Sequence, residues 1–272
     1  MTITAPGART ELWLPLLRTL TEKCPGWLLW KNAESAFTGV GDIDAAAPVG
    51  EWPVVERCFR EWAEEQGVGP VIVCHHIPGG LNLVAVPADS ATLLEMGVKN
   101  DKIWRGSPLF EYDDLRPLAG MDPRGFRRLR PGAEGFFKLM LNGSRWDGSP
   151  HDEGLRAKNV ADLLRRDPEG ARMAAKTFGP AAPAAVAAAE SAASGDWNRG
   201  AMLAVTAWAL LRSLWQPAVL AKRLQFRLTA KQRCPVVAAL LGDERRIPAD
   251  RDAWLRRVAQ THVVYSNTAV QT

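Results

Sequence analysis

The feature that most constrains the fold is a change of hydrophobic pattern near residue 111. Before this point short, strand-like apolar runs alternate with helical stretches, whereas helical patterns predominate after it. This order predicts a mixed α/β protein, with a sheet-containing domain at residues 1–115 and an all-helical domain at residues 116–272. A chain of 272 residues is long enough for one or two such domains.

The N-terminal part combines two helical patterns with several strand patterns. Helices are predicted over 10–23 and 53–66, the second with Pro53 in its first turn and Gly67 after its end. The strands predicted from short apolar runs cover residues 27–31, 41–47, 71–77, 81–86 and 93–98. The third and fourth of these are separated by Pro78-Gly79-Gly80, which predicts a hairpin.

The C-terminal part shows mainly helical periodicity. Four helices are predicted, over residues 131–141, 154–166, 180–194 and 201–215. The last is apolar around almost its whole circumference, which predicts a buried helix.

Several classes of protein are disfavoured by what the sequence lacks. No stretch approaches eighteen apolar residues, so no membrane span is expected. The first residues lack the basic start and apolar core of a signal peptide, and the four cysteines are scattered, so we expect a cytoplasmic protein with reduced thiols. There is no GxxxxGK[ST] motif, which excludes a P-loop kinase, and no GxSxG motif, which argues against a serine hydrolase.

The net charge of +4 is unevenly distributed along the chain. Between Arg199 and Arg257 there are twelve lysines and arginines but four acidic residues. This excess favours a polyanionic partner, such as a nucleotide or an RNA. A solvated helical face rich in arginine explains it equally well. The basic segment PRGFRRLRPG, residues 123–132, allows the same two interpretations.

The segment Gly41-Asp42-Ile43-Asp44 carries the clearest chemical signal. Side chains on a strand alternate between faces, so Asp42 and Asp44 project from the same side. Two such carboxylates suit a magnesium ion, which binds one or two carboxylates together with substrate phosphates. The alternative is a solvent-exposed strand end with two hydrated aspartates.

The surroundings of these aspartates resemble a known superfamily. The segments WLLWKNAESAFTGVGDIDAAAP and LLEMGVKNDKIWRGSPL, with GAEGFFKLMLNG and GLRAKNVADLL further along, are similar to nucleotidyltransferases of the DNA polymerase β type. Within that superfamily the chain looks most like the bacterial uncharacterised and AbiE/MenT toxin-type members. The resemblance spans about residues 25–165 and implies a nucleotidyltransferase-like mixed sheet followed by helices.

The resemblance also implies catalytic roles. Asp42 and Asp44 would hold Mg²⁺ and the nucleotide phosphates, and Glu95 would be the third carboxylate. The strand at residues 93–98 can also be aligned one step later with the corresponding strand of the superfamily. The third catalytic position is then Gly97, and the protein is weakened or inactive. Glu95 and Gly97 share one strand face, so both alignments remain open.

Further residues are matched to nucleotide binding. The Gly-Ser pair of the superfamily is replaced here, and the binding residues implied by the resemblance are Lys31, Asn32, Lys138, Lys158 and Asp162. Arg105 either reaches a phosphate beside Trp104 or lies in a turn on the surface.

The resemblance implies an enzyme that transfers a nucleotide from an NTP to a hydroxyl acceptor. For a toxin-type member the acceptor would be RNA such as tRNA, and a cognate antitoxin would be a partner. The alternatives are a small-molecule acceptor in a biosynthetic or resistance pathway, and a degenerate nucleotide-binding protein without activity.

Overall fold

The computed structural model describes most of the chain, namely residues 8–38, 41–77, 79–85, 93–151, 155–219, 221, 224, 228 and 263–265. The strands are β1 (Leu28–Lys31), β2 (Ile43–Ala46), β3 (Val71–Ile77), β4 (Gly80–Ala85), β5 (Leu94–Lys99), β6 (Asp101–Trp104), β7 (Ser107–Glu111), β8 (Ala119–Met121), β9 (Arg127–Leu129) and β10 (Val263–Tyr265). The helices are α1 (Ala8–Lys23), α2 (Ala33–Thr38), α3 (Trp52–Glu65), α4 (Tyr112–Leu115), α5 (Pro131–Lys138), α6 (Leu155–Arg166), α7 (Pro168–Ala175), α8 (Ala182–Ala193) and α9 (Arg199–Leu214).

The chain divides into two compact units. The first contains residues 1–27, 32–99 and 223–272, and the second contains residues 28–31 and 100–222. The predicted border between residues 115 and 116 falls inside the second unit. Residues 28–31 belong with the later segment because β1 pairs in parallel with β9, through Leu29 and Arg128.

The first unit is built on a mixed sheet with the strand order β10-β3-β4-β5-β2. β2 and β5 are parallel, whereas the β10–β3, β3–β4 and β4–β5 pairs are antiparallel. β2 is buried along its whole length and is rich in alanine, as a strand covered on both faces requires.

The helices of the first unit are fixed by aromatic packing. Trp13 of α1 stacks on Trp62 of α3 with ring centroids 4.9 Å apart, and Phe59 packs against both rings. The indole nitrogen of Trp62 donates to the Leu12 carbonyl at 2.9 Å, which satisfies its polar end. The buried residues of α3 recur at helical spacing, as the amphipathic sequence predicts: Val55, Cys58, Phe59, Trp62 and Ala63.

The second unit places two small sheets beside a helical assembly. β8 and β9 form an antiparallel pair that extends β1, and β6 and β7 form a separate hairpin. A buried aromatic cluster of Trp30, Phe110, Phe136, Phe137 and Phe178 joins strands to helices. Close helix packing around α5 depends on glycine, since a Cβ on Gly135 would lie 2.9 Å from Cβ of Leu163.

The mixed α/β class and the mixed sheet are confirmed. Helices follow one another from Pro131 to Leu214, while residues 119–129 and 263–265 contain strands within the segment predicted to be all-helical. Much of residues 215–272 lies outside the described part of the chain. No helix of the described residues is long and apolar enough to cross a membrane.

One local prediction was wrong, and another was incomplete. Helix α9 is not buried all round, because Leu203, Leu210, Leu211 and Leu214 are exposed while Met202, Val205 and Ala209 are buried. The turn predicted near Trp104 is correct, but it joins two strands, β6 and β7, that the sequence did not suggest.

Candidate functional site

The two aspartates of the Gly-Asp-Ile-Asp segment lie at the start of β2. Asp42 immediately precedes the strand and is partly exposed, whereas Asp44 lies within it and is buried. The side-chain amide of Asn32 donates to Oδ2 of Asp44 at 2.8 Å. The two predicted site residues Asn32 and Asp44 therefore touch, and the amide restricts the orientation of the carboxylate.

Asn32 follows β1 with its backbone in the left-handed region, at φ 66°. Among non-glycine residues in the described part of the chain, Arg105 is the other one with positive φ, at 50°. Asparagine tolerates this conformation better than most residues because its short polar side chain can bond locally. Such strained positions are found preferentially at functional sites.

Glu95 lies beside the aspartates because of the register between β2 and β5. Ile43 pairs with Met96 and Asp44 with Gly97, so one step back along both strands places Asp42 next to Glu95. Paired residues on neighbouring strands point to the same face. The side chains of Asp42, Asp44 and Glu95 therefore share one face of the sheet, and Gly97 lies on that face opposite Asp44.

The electrostatics of Glu95 reflect this crowding. Burial raises the pKa of its carboxyl group, and the nearby charges of Asp42 and Asp44 raise it further, while Lys99 acts in the opposite direction. A nearby charge of like sign disfavours the ionised form of a carboxyl group. The raised pKa of Glu95 therefore agrees with the placement of both aspartates on its face of the sheet.

Two polar residues that the sequence did not single out complete this face. β4 pairs with β5 so that Asn82 lies opposite Gly97, and Gly80 lies opposite Lys99. The side chains of Asn82 and Lys99 are buried, and Nζ of Lys99 lies 3.4 Å from Oδ1 of Asn82. Asn82 is the polar residue of an otherwise apolar strand, whereas Lys99 ends a strand that also carries Glu95.

The chemistry of the carboxylates suits a hard cation, but they form no ready-made cage. Among the described residues, no group of three or more His, Cys, Asp or Glu side chains is arranged to hold a metal ion. Magnesium does not require one, because it commonly takes one or two carboxylates and completes its shell with water and phosphate oxygens. Asp42 and Asp44 fit that pattern.

Arg105 lies in the second unit and is engaged by its own surroundings. Its guanidinium donates to the Arg145 carbonyl at 2.7 Å and to Oγ of Ser144 at 3.2 Å. It also lies between two indole rings, 4.4 Å from that of Trp104 and 5.0 Å from that of Trp146. Burial lowers the pKa of Arg105. These contacts hold the loop at residues 144–146. The role of Arg105 as a phosphate ligand stays a prediction.

The remaining predicted binding residues also lie in the second unit, and their nucleotide role stays a prediction. Lys31 ends β1 with its Nζ 4.9 Å from the ring centre of Trp30. Lys138, at the end of α5, pairs with buried Glu134 at 2.8 Å. On α6, Lys158 is exposed and Asp162 pairs with Arg165.

The basic segment at residues 123–132 is used within the fold. Arg124 pairs with Asp122 at 2.7 Å, and Arg128 bridges Asp122 and Glu134 at 3.1 and 2.7 Å. Arg130 pairs with Asp167 at 2.6 Å. Neither of the two interpretations of this segment had included such internal ion pairs.

Ten of the twelve basic residues between Arg199 and Arg257 lie outside the described residues. The two described ones, Arg199 and Arg212, donate to the carbonyls of Asp147 and Thr177.

The first unit therefore presents carboxylates, amides and one ammonium group on a single face of its sheet. Carboxylates at this spacing can bind a cation with its phosphate ligands, and a carboxylate with a raised pKa can accept a proton. Comparison with protein-family models, with curated proteins and with solved structures found no match to this chain.

Proposed function

We propose that the protein is a magnesium-dependent nucleotidyltransferase, which transfers a nucleotide from a nucleoside triphosphate to a hydroxyl acceptor. The observation that carries this proposal is the convergence of Asp42, Asp44 and Glu95 on one face of the β2–β5 pair. Hydrated surface aspartates do not account for it, because Asp44 is buried and bonded to Asn32. The resemblance of residues 25–165 to nucleotidyltransferases supports the same chemistry.

Each residue of this face has a role in the proposed reaction. Asp42 and Asp44 would hold magnesium, which would supply positive charge to the triphosphate and to the pyrophosphate leaving group. Asn32 keeps the Asp44 carboxylate in one orientation through its 2.8 Å hydrogen bond. Glu95 accepts the proton of the acceptor hydroxyl, a task favoured by a carboxyl group with a raised pKa.

The acceptor we propose is RNA, with tRNA as the first case to test. The support is the resemblance to toxin-type nucleotidyltransferases and the excess of eight positive charges between Arg199 and Arg257. A cognate antitoxin would be a partner of such a protein, and the proposed location is the cytoplasm.

A second candidate is a nucleotide-binding protein without catalytic activity. It is favoured by the glycine at position 97, directly opposite Asp44, which is the third catalytic position in the alternative alignment. Such a protein would bind Mg²⁺ and a nucleotide but release no pyrophosphate.

The test is a transfer assay with each of the four α-labelled NTPs, Mg²⁺ and total RNA or a small-molecule extract. We expect label in the RNA fraction, and Asp42→Asn and Asp44→Asn to reduce transfer at least about a hundredfold, as removal of a charge-stabilising group commonly does. Asp113→Asn is the matched control, since Asp113 is exposed on α4 in the second unit.

Each alternative outcome has a definite meaning. Label in the small-molecule fraction would replace RNA as the acceptor. Unchanged transfer by Asp42→Asn would contradict the proposed site. Nucleotide binding with no transfer to either fraction would favour the non-catalytic candidate.

A further inference from the structure

Lys99 occupies an unusual position for a lysine. It ends β5 and is 8% exposed, although lysine side chains are rarely buried unless other groups compensate their charge. It is two residues beyond Gly97 and four beyond Glu95, so its side chain lies on the same face of the sheet as the three carboxylates.

The Lys99 ammonium group extends back along β5 and lies above Gly97, the residue that pairs with Asp44. A Cβ atom built on Gly97 would lie 4.0 Å from Nζ of Lys99 and 3.2 Å from Oδ1 of Asn82. In the strand register, Asn82, Gly97 and Asp44 form one continuous row across β4, β5 and β2. The absence of a side chain at position 97 therefore leaves room in this row, between Asn82 and Asp44, for a buried cation and a buried amide.

The described residues of this face carry more negative than positive charge. Asp42, Asp44 and Glu95 supply three carboxyl groups and Lys99 supplies an ammonium group, and a divalent cation would offset the excess of negative charge. A metal–triphosphate complex brings further negative oxygens, for which an ammonium at the edge of the carboxylates is a suitable partner.

We propose that Lys99, oriented by Asn82, contacts the phosphate chain of the nucleoside triphosphate. This inference rests on the proposed function and adds a phosphate-binding residue to it. Gly97 is then required as the residue that leaves space for this contact. The ligand class is a metal-bound polyphosphate, whatever the nucleobase.

The test is calorimetric titration of the intact protein with inorganic tripolyphosphate in the presence of Mg²⁺, which removes the nucleobase from the measurement. We expect Lys99→Gln to weaken binding at least about tenfold, as loss of a charge-assisted contact does. Lys99→Arg should lose less affinity than Lys99→Gln, because it keeps the charge although its guanidinium is larger than the ammonium. Lys23→Met is the matched control, since Lys23 is exposed on α1 and paired with Glu61 at 3.6 Å.

The inference is overturned if Lys99→Gln binds tripolyphosphate as well as the unaltered protein, or if Lys99→Arg loses as much affinity as Lys99→Gln. Should Lys99→Gln show no cooperative melting, Gly97→Ala provides the measurement. It keeps every charge, and its Cβ would lie 3.2 Å from Oδ1 of Asn82 and so displace the amide that orients Lys99. A folded Gly97→Ala variant with full affinity would then overturn the inference.

Failure of this inference is distinguishable from failure of the proposed function. If Asp42→Asn abolishes both nucleotide transfer and tripolyphosphate binding while Lys99→Gln abolishes neither, Lys99 has no role in binding and the proposed function stands. If the unaltered protein transfers no nucleotide to either fraction, the proposed function fails independently of the titration.

Discussion

Single residues of the candidate site combine backbone strain with side-chain contacts. Asn32 holds a left-handed backbone while its amide binds Asp44, and Glu95 is placed among like charges. Both arrangements are unfavourable for the isolated residue, and the surrounding structure must compensate them. Substitutions at Glu95 and Asn32 separate the contribution of each residue to stability from its contribution to function.

Glu95→Gln should abolish nucleotide transfer while raising thermal stability. The pKa of Glu95 is raised by burial and by Asp42 and Asp44, so its ionised form destabilises the folded state at neutral pH. A neutral glutamine of nearly the same shape removes that repulsion. The measurements are the transfer assay and the melting temperature without Mg²⁺. A lower melting temperature would contradict the electrostatic account, and full activity would contradict the catalytic role.

The variant Asn32→Gly tests the role of the Asn32 side-chain amide without disturbing the left-handed backbone at this position. Glycine adopts positive φ without strain, so the fold should be preserved, whereas the hydrogen bond to Asp44 is lost. We expect kcat/KM for transfer to fall on the order of tenfold, as loss of a hydrogen bond to a charged group does. An equal melting temperature serves as the control. Unchanged kcat/KM would show that Asn32 does not position Asp44.

The elements of the second unit depend on close backbone approach and on buried ion pairs. α5 and α7 meet at Gly132, whose amide donates to Oδ2 of Asp167 at 3.2 Å. Asp167 also caps α7 by accepting from the Gly170 amide at 3.0 Å. In the β8–β9 hairpin, Asp122 accepts from Arg124 and Arg128. Gly132 and Asp122 each give a prediction.

Gly132→Ala should destabilise the helical assembly strongly. A Cβ at this position would overlap the carbonyl oxygen of Asp167 and lie 2.7 Å from the amide nitrogen of Ala171. These are backbone atoms that cannot turn away, so we expect a loss of about 3 kcal/mol. Gly120→Ala is the matched control, because nothing lies within 4 Å of its Cβ position. Urea denaturation of the two variants checks this; equal midpoints would contradict it.

Asp122 should contribute stability that is lost in acid. Burial by itself would raise the pKa of Asp122, but hydrogen bonds from Arg124 and Arg128 outweigh it and lower the pKa to about 2. The contribution is therefore complete above its ordinary value of 3.8 and disappears as the pH falls through about 2. Asp122→Asn should cost about 2 kcal/mol at pH 7. The measurement is the urea midpoint of the unaltered protein and of Asp122→Asn at pH 7, 4, 3 and 2. The difference between the two midpoints should shrink as the pH falls, and a constant difference would contradict this prediction.

At the scale of the whole molecule, the order of the chain and the order in space differ. β1 belongs to the second unit, while the segments before and after it belong to the first. The carboxylates lie in the first unit, and most of the basic residues beyond Arg199 lie outside the described residues.

The salt dependence of tRNA binding tests the basic segment. If it contacts at least four phosphates, the association constant should fall about a hundredfold between about 50 and 200 mM NaCl, because bound counterions are released. Filter binding of labelled tRNA to the full chain gives the slope. A salt-independent affinity would show that the excess of positive charge serves another purpose.

Much of the local structure could be predicted from the sequence. The α3 helix, the β3–β4 hairpin and the β2 strand lie within two residues of their predicted bounds. Their signals are hydrophobic spacing and turn residues, which act over a few residues. β8 and β9, with three residues each, carry too little periodicity to be detected, and the packing around them decides their conformation.

The candidate site divides in the same way. Asp42 and Asp44 could be found from the sequence because they are two residues apart on one strand, and strand geometry alone places them on the same side. Asn82 and Lys99 could not, since a single polar residue in an apolar strand is equally consistent with an exposed edge. Their position beside Gly97 follows from the β4–β5 register, which joins residues distant in the sequence.

The sequence by itself determined the types and approximate bounds of most elements and the paired aspartates, because these depend on interactions between near neighbours in the chain. The tertiary structure decided that Glu95 and Lys99 share a face with Asp44 and that Arg124, Arg128 and Lys138 are held in ion pairs. It also decided that β1 pairs with β9. Strand register and burial arise from contacts between distant segments, and the free energy of such contacts depends on the packing of the whole unit.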